Sequence, residues 1–305
     1  METEAEMRVV IIGGKGLIGQ ALAKELGSHG HQVTILTRGD TQSQPAGETW
    51  LNWDGKDAQK LLGLIEGQEA IVNLAGESIG KSRWTNQRKE KILTSRLEPC
   101  IALAEAMTKT RNGPRMLVQA SAVGYYGTGT SEFNENSEQG RDWLASICQK
   151  WENSTASLED SGTRRVVIRS GVVLAREGGV LSQLSLPFRF FIGGPVGSGQ
   201  QWVSWIHLLD EVKAIRFLIE HEACHGVYNL TAPEPVMNRS MGKTLAHVLQ
   251  RPFWFPLPAF ALKLALGEMS TLVLDGQNVF PTKLLQTGFQ FEFPTLESAL
   301  QDLCG

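Results

Sequence analysis

The chain has 305 residues, 42% of them hydrophobic and 20% charged, enough apolar material for one large globular domain or two modest ones. A net charge of -3 with no basic stripe argues against nucleic acid as a partner, because such binding rests on neutralising phosphates. No apolar run reaches the ~18 residues needed to span a bilayer, and the acidic opening METEAEM lacks a signal peptide's basic start, so a cytoplasmic protein with no membrane partner is expected.

Met7–Ile12 (MRVVII) is a β-branched apolar run, as expected of a strand buried on both faces of a parallel sheet. A glycine turn follows, then helical spacing through Leu17, Ile18, Ala21, Leu22 and Leu26, closed by Gly30. His31–Leu36 is the second strand, completing a βαβ unit. The alternation goes on through strands at 70–74, 115–120 and 165–174 and helices at 89–109 and 143–158. This pattern predicts an α/β fold with a Rossmann-type doubly wound parallel sheet.

After Ala175 the character changes. Residues 176–201 carry GG, GGP and GSG, which are loop-building elements, and Tyr228–Leu230 reads as one more strand. From Pro233 the chain is rich in proline, with helices expected at 240–249 and 258–266. The expected division is a Rossmann domain over 7–175 plus about 202–230, and a smaller C-terminal substrate-side domain over 176–201 and 231–305. Cys100, Cys148, Cys224 and Cys304 form no CxxC pair. His221, Cys224 and His225 are the nearest approach to a metal cluster, but they read as a polar helix end before Gly226, so no metal is expected.

The first turn, Gly13-Gly14-Lys15-Gly16-Leu17-Ile18-Gly19, has the spacing GxxGxxG between a strand and a helix. Such glycines allow a tight turn, backbone approach to a pyrophosphate and close helix–sheet packing, while the helix N-terminus offers N–H groups to phosphate. The second strand ends in Thr37-Arg38, where an NAD-binding protein usually carries an acidic residue; Asp40 stands two residues further on. An arginine fork suits the 2′-phosphate of NADP(H), and Lys15 can add a second positive charge. NADP(H) is therefore the expected cofactor.

The glycine spacing, Asn73-Leu74-Ala75-Gly76, and Trp205-Ile206-His207 followed by Asp210 resemble the extended short-chain dehydrogenases/reductases. Within them the chain is similar to an atypical "epimerase family" subgroup. The motifs that carry this are NLAGESI (73–79), SAVGYYG (121–127), RSGVVL (169–174), PFRFFIGGPVGSGQQWVSWIH (187–207) and LLQTGFQFEFP (284–294). The resemblance implies that Thr37 and Arg38 face the adenosine phosphate and that Asp54 lies near the adenine. It further implies that Leu74, Ala75 and Gly76 line the cofactor's middle, that Lys91 and Arg96 lie close by, and that Val173 approaches the nicotinamide end.

Members of that superfamily use a Tyr-x-x-x-Lys pair in which lysine lowers the tyrosine pKa. Here Tyr125, Tyr126 and Tyr228 are followed four residues later by Gly129, Thr130 and Ala232, so no such pair exists. With Glu152 set against the family's usual glutamate, Leu144 and Cys148 stand at the tyrosine and lysine positions, and Lys150 faces elsewhere. Ser121 matches the superfamily's substrate-binding serine, and Tyr125 and Tyr126 are candidate phenols, with Lys91, Arg96 or Arg169 as the cation to activate them. His207 is a further acid or base candidate but sits in an apolar run, as a core histidine would. The reading is an NADP(H)-dependent oxidoreductase or epimerase acting on a small, polar, sugar-like substrate as a monomer or homodimer, its far wall formed by 187–201. The alternative is a non-catalytic NADP(H)-binding sensor or regulator.

Overall fold

The computed structural model describes residues 6–39, 41, 44 and 48–305. In chain order the strands are β1 Arg8–Ile12, β2 Gln32–Thr37, β3 Thr49–Asn52, β4 Ala70–Asn73, β5 Met116–Ala122, β6 Glu132–Phe133 and β7 Arg164–Ser170. They continue as β8 Val172–Leu174, β9 Trp202–Val203, β10 Trp205–His207, β11 Gly226–Leu230, β12 Val236–Met237 and β13 Asn278–Val279.

One seven-stranded sheet runs in the order β11-β7-β5-β4-β1-β2-β3, and every pairing in it is parallel. Val9 is level with Val33 on one side and Ala70 on the other. The order doubles back at β1 and β4, so a crevice opens where their C-terminal ends diverge. β1 is apolar throughout from Val9 because helices cover both faces, and Val9, Val10, Ile11, Ile71, Val72, Leu117 and Val118 are fully buried. Among the described residues, no helix is long and apolar enough to cross a membrane.

The run 165–174 is two strands, not one. Gly171 makes the last bond to the sheet, its N–H donating to Leu230 O of β11 at 2.9 Å, and the next residues pair with β10 instead. Any side chain at 171 would strike Ser204 O, which an added Cβ meets at 2.4 Å. The helix expected over 143–158 ends at Asn153 and a short turn, Ser157–Asp160, follows. Segment 176–201, read as loops, contains a helix, Leu181–Arg189, with Pro187 inside it. A helix at Ala58–Ile65, capped by the Asp57 side chain accepting from Lys60 N, was not foreseen.

The C-terminal part shares an apolar cluster with the edge of the Rossmann part. Met241, Leu245, Leu296, Leu300 and Leu303 pack with Leu174, Leu181, Phe188 and Trp205. Helix Leu296–Cys304, capped by Thr295, lies against helix Asn238–Val248 there.

Candidate cofactor and ligand site

The glycine turn sits at the crevice. Gly13 has φ +82°, and a Cβ there would meet the Leu74 carbonyl carbon and oxygen at 2.9 Å. Only glycine lets the exits of β1 and β4 come this close. Gly19, in the first helical turn, faces Gly14, whose Cα an added Cβ would meet at 2.6 Å. Together these glycines draw the helix Leu17–Ser28 tight onto the sheet. Its N-terminal residue Gly16 carries no side-chain cap, so the first helical N–H groups point toward the crevice mouth.

The β4 exit is shaped by Asn73. Its buried amide donates to Gln119 Oε1 at 3.1 Å and its oxygen accepts from Ala75 N at 3.2 Å, setting the turn through Leu74, Ala75 and Gly76. Arg96 closes this side: its Nη1 donates to Glu77 O and Ile92 O, and its guanidinium lies 4.9 Å over the Trp151 ring. Lys91 is more exposed, with Nζ 3.9 Å from Glu77. Thr37 is buried and accepts from Gly39 N, while Arg38 is exposed. Asp40 lies outside the described residues. Lys15 stands 4.3 Å over the Trp50 ring. Asp54 accepts from the Lys56 and Asp57 backbone N–H groups, and these bonds hold its carboxyl below the usual range.

Beside Arg96 opens a cavity of about 400 Å³, a size that suits a small ligand. Val123, Gly124, Leu144, Cys148 and Trp151 form one wall, and Trp84 and Trp143 another, their ring centroids 4.6 Å apart. Ser170 and Val172 line its floor, Val172 being the neighbour of Val173 in β8. Glu268, Thr271, Leu272, Asp275 and Gln277 close a further side, and none of the lining residues comes from 187–201. Leu144 and Cys148 pack against Gly124, at 3.6 and 3.8 Å from where its Cβ would stand. Burial pushes the Cys148 thiol up to about 12, so it stays protonated.

The three candidate hydroxyl groups lie behind this wall. Ser121 is buried and donates to Glu152 Oε1 at 2.6 Å. Glu152 in turn holds Arg169 through two contacts at 2.9 and 2.8 Å. Tyr126 donates to Asn229 Oδ1 and accepts from Arg169 Nη1; burial, the largest influence, pushes its phenol up to about 12. Tyr125 is half-buried with the Arg169 guanidinium 3.3 Å over its ring. Arg169 is thus a buried hub between Ser121, Tyr125 and Tyr126.

His207 caps the helix Leu208–Glu220 by accepting from Leu209 N at 3.0 Å, stacks on Phe293 and reaches Asp302; burial lowers its pKa. His221 and His225 each point a ring nitrogen at a nearby backbone carbonyl. Among the described residues no group of three His, Cys, Asp or Glu side chains is gathered as a metal would require.

Sequence reasoning passed over Ser170 and Glu211. The Ser170 Oγ is 2.5 Å from Oε1 of Glu211, a fully buried carboxyl whose Oε2 has no partner among the described residues. Burial pushes Glu211 up to about 8. The only hint was the RSG of the 169–174 motif, which reads as ordinary strand.

A doubly wound sheet with a glycine turn at its switch point and a walled cavity beside it defines a dinucleotide-binding α/β protein. Comparisons narrow the class. Residues 9–145 match the NAD dependent epimerase/dehydratase family, and 257–303 match a domain of unknown function. The chain is 39% identical to an "Epimerase family protein" of Staphylococcus aureus over 96% of its own length and 98% of that protein. The Bacillus subtilis epimerase family protein YfhF is equally similar, 39% over 97% and 98%. The chain belongs to this epimerase family. Human epimerase family protein SDR39U1, solved with NADPH, superposes with a TM-score of 0.88 at 36% identity, covering 97% of this chain and 99% of that one. A nucleoside-diphosphate sugar epimerase from Corynebacterium glutamicum gives 0.77 at 31% identity, covering 97% of this chain but 58% of the other.

Proposed function

We propose that this protein is an NADP(H)-dependent oxidoreductase acting on a small ligand in the cavity beside Arg96. The observation that carries the reading is the glycine turn at the switch point, where Gly13 lies so close to Leu74 that no side chain fits, the turn type that lets backbone approach a pyrophosphate. The likeness to an NADPH-bound relative over nearly the whole chain supports it. In this reading the turn 13–19 holds the pyrophosphate, Thr37 and Arg38 meet the 2′-phosphate, and Leu74, Ala75 and Gly76 flank the middle of the cofactor. Arg96 and Val173 lie toward the nicotinamide, which supplies or accepts a hydride when bound. In this reading the substrate-side part is built on the cluster around Met241, Leu245 and Leu300, which reaches into the Rossmann part through Leu174 and Trp205.

A second reading, cofactor binding without turnover, draws on one observation. Leu144 and Cys148 fill the wall where the resemblance places a tyrosine and a lysine, and the Ser121 hydroxyl is committed to Glu152. A screen that follows NADPH absorbance with carbonyl compounds separates the two: turnover removes the second reading.

Cofactor choice is tested by titrating NADPH and NADH against intrinsic tryptophan fluorescence. NADPH is expected to bind at least ten times more tightly, and Arg38→Ala to bring the two within a few-fold. A hydrogen bond to a charged group contributes roughly 1.5–3 kcal/mol, and each 1.4 kcal/mol is about tenfold. Equal affinities in the unaltered protein overturn the role of Arg38.

A further inference from the structure

We propose that the cavity beside Arg96 takes a flat, uncharged aromatic compound bearing a carbonyl oxygen, held between its tryptophan wall and the Ser170 hydroxyl, rather than a nucleoside-diphosphate sugar. The proposal rests on the cofactor reading above, which assigns the Arg96 end to NADP(H). It departs from the polar, sugar-like ligand that the sequence suggested.

The charges decide against an anion. Besides Arg96, the charged side chains lining the cavity are Asp142, Glu268 and Asp275, all acidic. Lys89, the cation near Trp143, is already ion-paired with Glu268. Asp142 is fixed by Ala145 N at 2.8 Å and Thr128 N at 3.2 Å, capping the helix Trp143–Asn153. Arg96 is the one cation among the described lining residues, and the cofactor reading assigns it to NADP(H), so a diphosphate would be stripped of water chiefly beside carboxylates, and unpaired buried charge is costly. Recognition of diphosphates normally draws on arginine or lysine.

The shape favours a flat apolar body. Trp84 and Trp143 meet at an interplanar angle of 55°, and Leu144, Ile147, Val172 and Leu272 complete the lining around them. Trp84 is held by its indole N–H donating to Ile79 O at 2.9 Å. Such a surface gains most from a ring that can stack or meet it edge-on. Leu144 and Cys148, where the resemblance expects a tyrosine and a lysine, extend the apolar wall.

One polar feature gives the ligand its direction. Ser170 lines the cavity and Glu211 stands directly behind it with no charged partner among the described residues. A carboxyl so enclosed keeps its proton near neutral pH. It then donates to Ser170 Oγ, which leaves the serine proton for an acceptor in the cavity. Thr128, Thr271 and Gln277 add further donor groups to the lining, and the complement to donors set beside a tryptophan wall is a carbonyl oxygen.

The test uses three naphthalenes of one shape and a sugar nucleotide, each titrated by calorimetry against protein saturated with NADP⁺. They are 2-acetylnaphthalene (neutral, with an acceptor), 2-ethylnaphthalene (no acceptor), 2-naphthoate (anionic) and UDP-glucose. The ketone is expected to bind about tenfold or more tightly than the other two naphthalenes, with no heat from UDP-glucose. Ser170→Ala should bring the ketone down to the ethyl compound and leave the ethyl compound unchanged, an effect that mere loss of packing would not give. Trp143→Ala should weaken both neutral compounds, and Leu272→Ala provides a second wall variant should the first not fold. Naphthoate or UDP-glucose binding as well as the ketone overturns the proposal, as does Ser170→Ala weakening both neutral compounds alike. NADPH binding without any naphthalene binding overturns the ligand class while leaving the cofactor reading intact; failure of NADPH to bind strikes the cofactor reading itself.

Discussion

Replacing Glu211 by glutamine is expected to raise the unfolding free energy by roughly 4 kcal/mol at pH 8 and to leave it nearly unchanged near pH 4. Glu211 is fully enclosed, and burial, opposed only by its bond with Ser170, raises its carboxyl from 4.5 to about 8. Below pH 4.5 the proton is bound in both folded and unfolded chains, and the residue costs nothing. Between pH 4.5 and 8 the unfolded chain loses the proton while the folded one keeps it, so stability falls by about 1.4 kcal/mol for each pH unit. The whole window amounts to roughly 4–5 kcal/mol. Glutamine can turn its amide N–H toward Ser170, as the protonated carboxyl does, and has no proton to lose. Urea unfolding of the two proteins between pH 4 and pH 9 measures the difference. Parallel pH profiles would show that Glu211 is not held neutral.

The second large effect lies at the Glu152–Arg169 pair, whose side chains are only 9% and 4% exposed. Glu152→Leu is expected to destabilise by about 3–5 kcal/mol, because it strands a buried guanidinium. Arg169→Met should cost less, and less still at acidic pH. A stranded carboxyl can take up a proton and keep its bond with Ser121, whereas a guanidinium cannot shed one at accessible pH. The double replacement should recover part of the loss. Chemical unfolding at pH 5 and pH 8 reads all three. An Arg169→Met variant that is the worse of the two at both pH values contradicts this account.

Much of the sheet could be read from the chain because its signals are local. The run Met7–Ile12, the glycines at 13, 16 and 19 and the spacing through Leu26 each follow from the backbone's own requirements, and the first βαβ unit forms as they predict. The break at Gly171 could not be read in this way. β-branched residues flank it on both sides, and what moves the chain out of the sheet is Ser204, far away in sequence. The same limit applies to the cavity. The glycines of 187–201 announce loops but not where the loops go, while Glu268, Leu272 and Asp275 sit in unremarkable sequence and reach the site by tertiary packing. Ser121, Tyr125 and Tyr126 were legible as reactive groups by type. Their commitment to Glu152, Asn229 and Arg169 depends on partners 31 to 103 residues away. Glu211 reads as one more acid favoured in a helix's first turn, until the fold removes its water.

The order of the strands also bears on how the protein is made. The switch point between β1 and β4 is assembled from the first quarter of the chain, so the glycine turn and its Asn73 support emerge from the ribosome early and can pair at once. β7 and β11 then extend the sheet at one edge, and the stretch 268–277 that walls the cavity follows after every strand of the seven-stranded sheet has been synthesised. A growing chain therefore acquires its phosphate-holding turn well before it can enclose anything beside it. For much of its synthesis, Trp84, Trp143 and Leu144 face solvent without their cover, an apolar surface that nascent-chain chaperones are suited to shield.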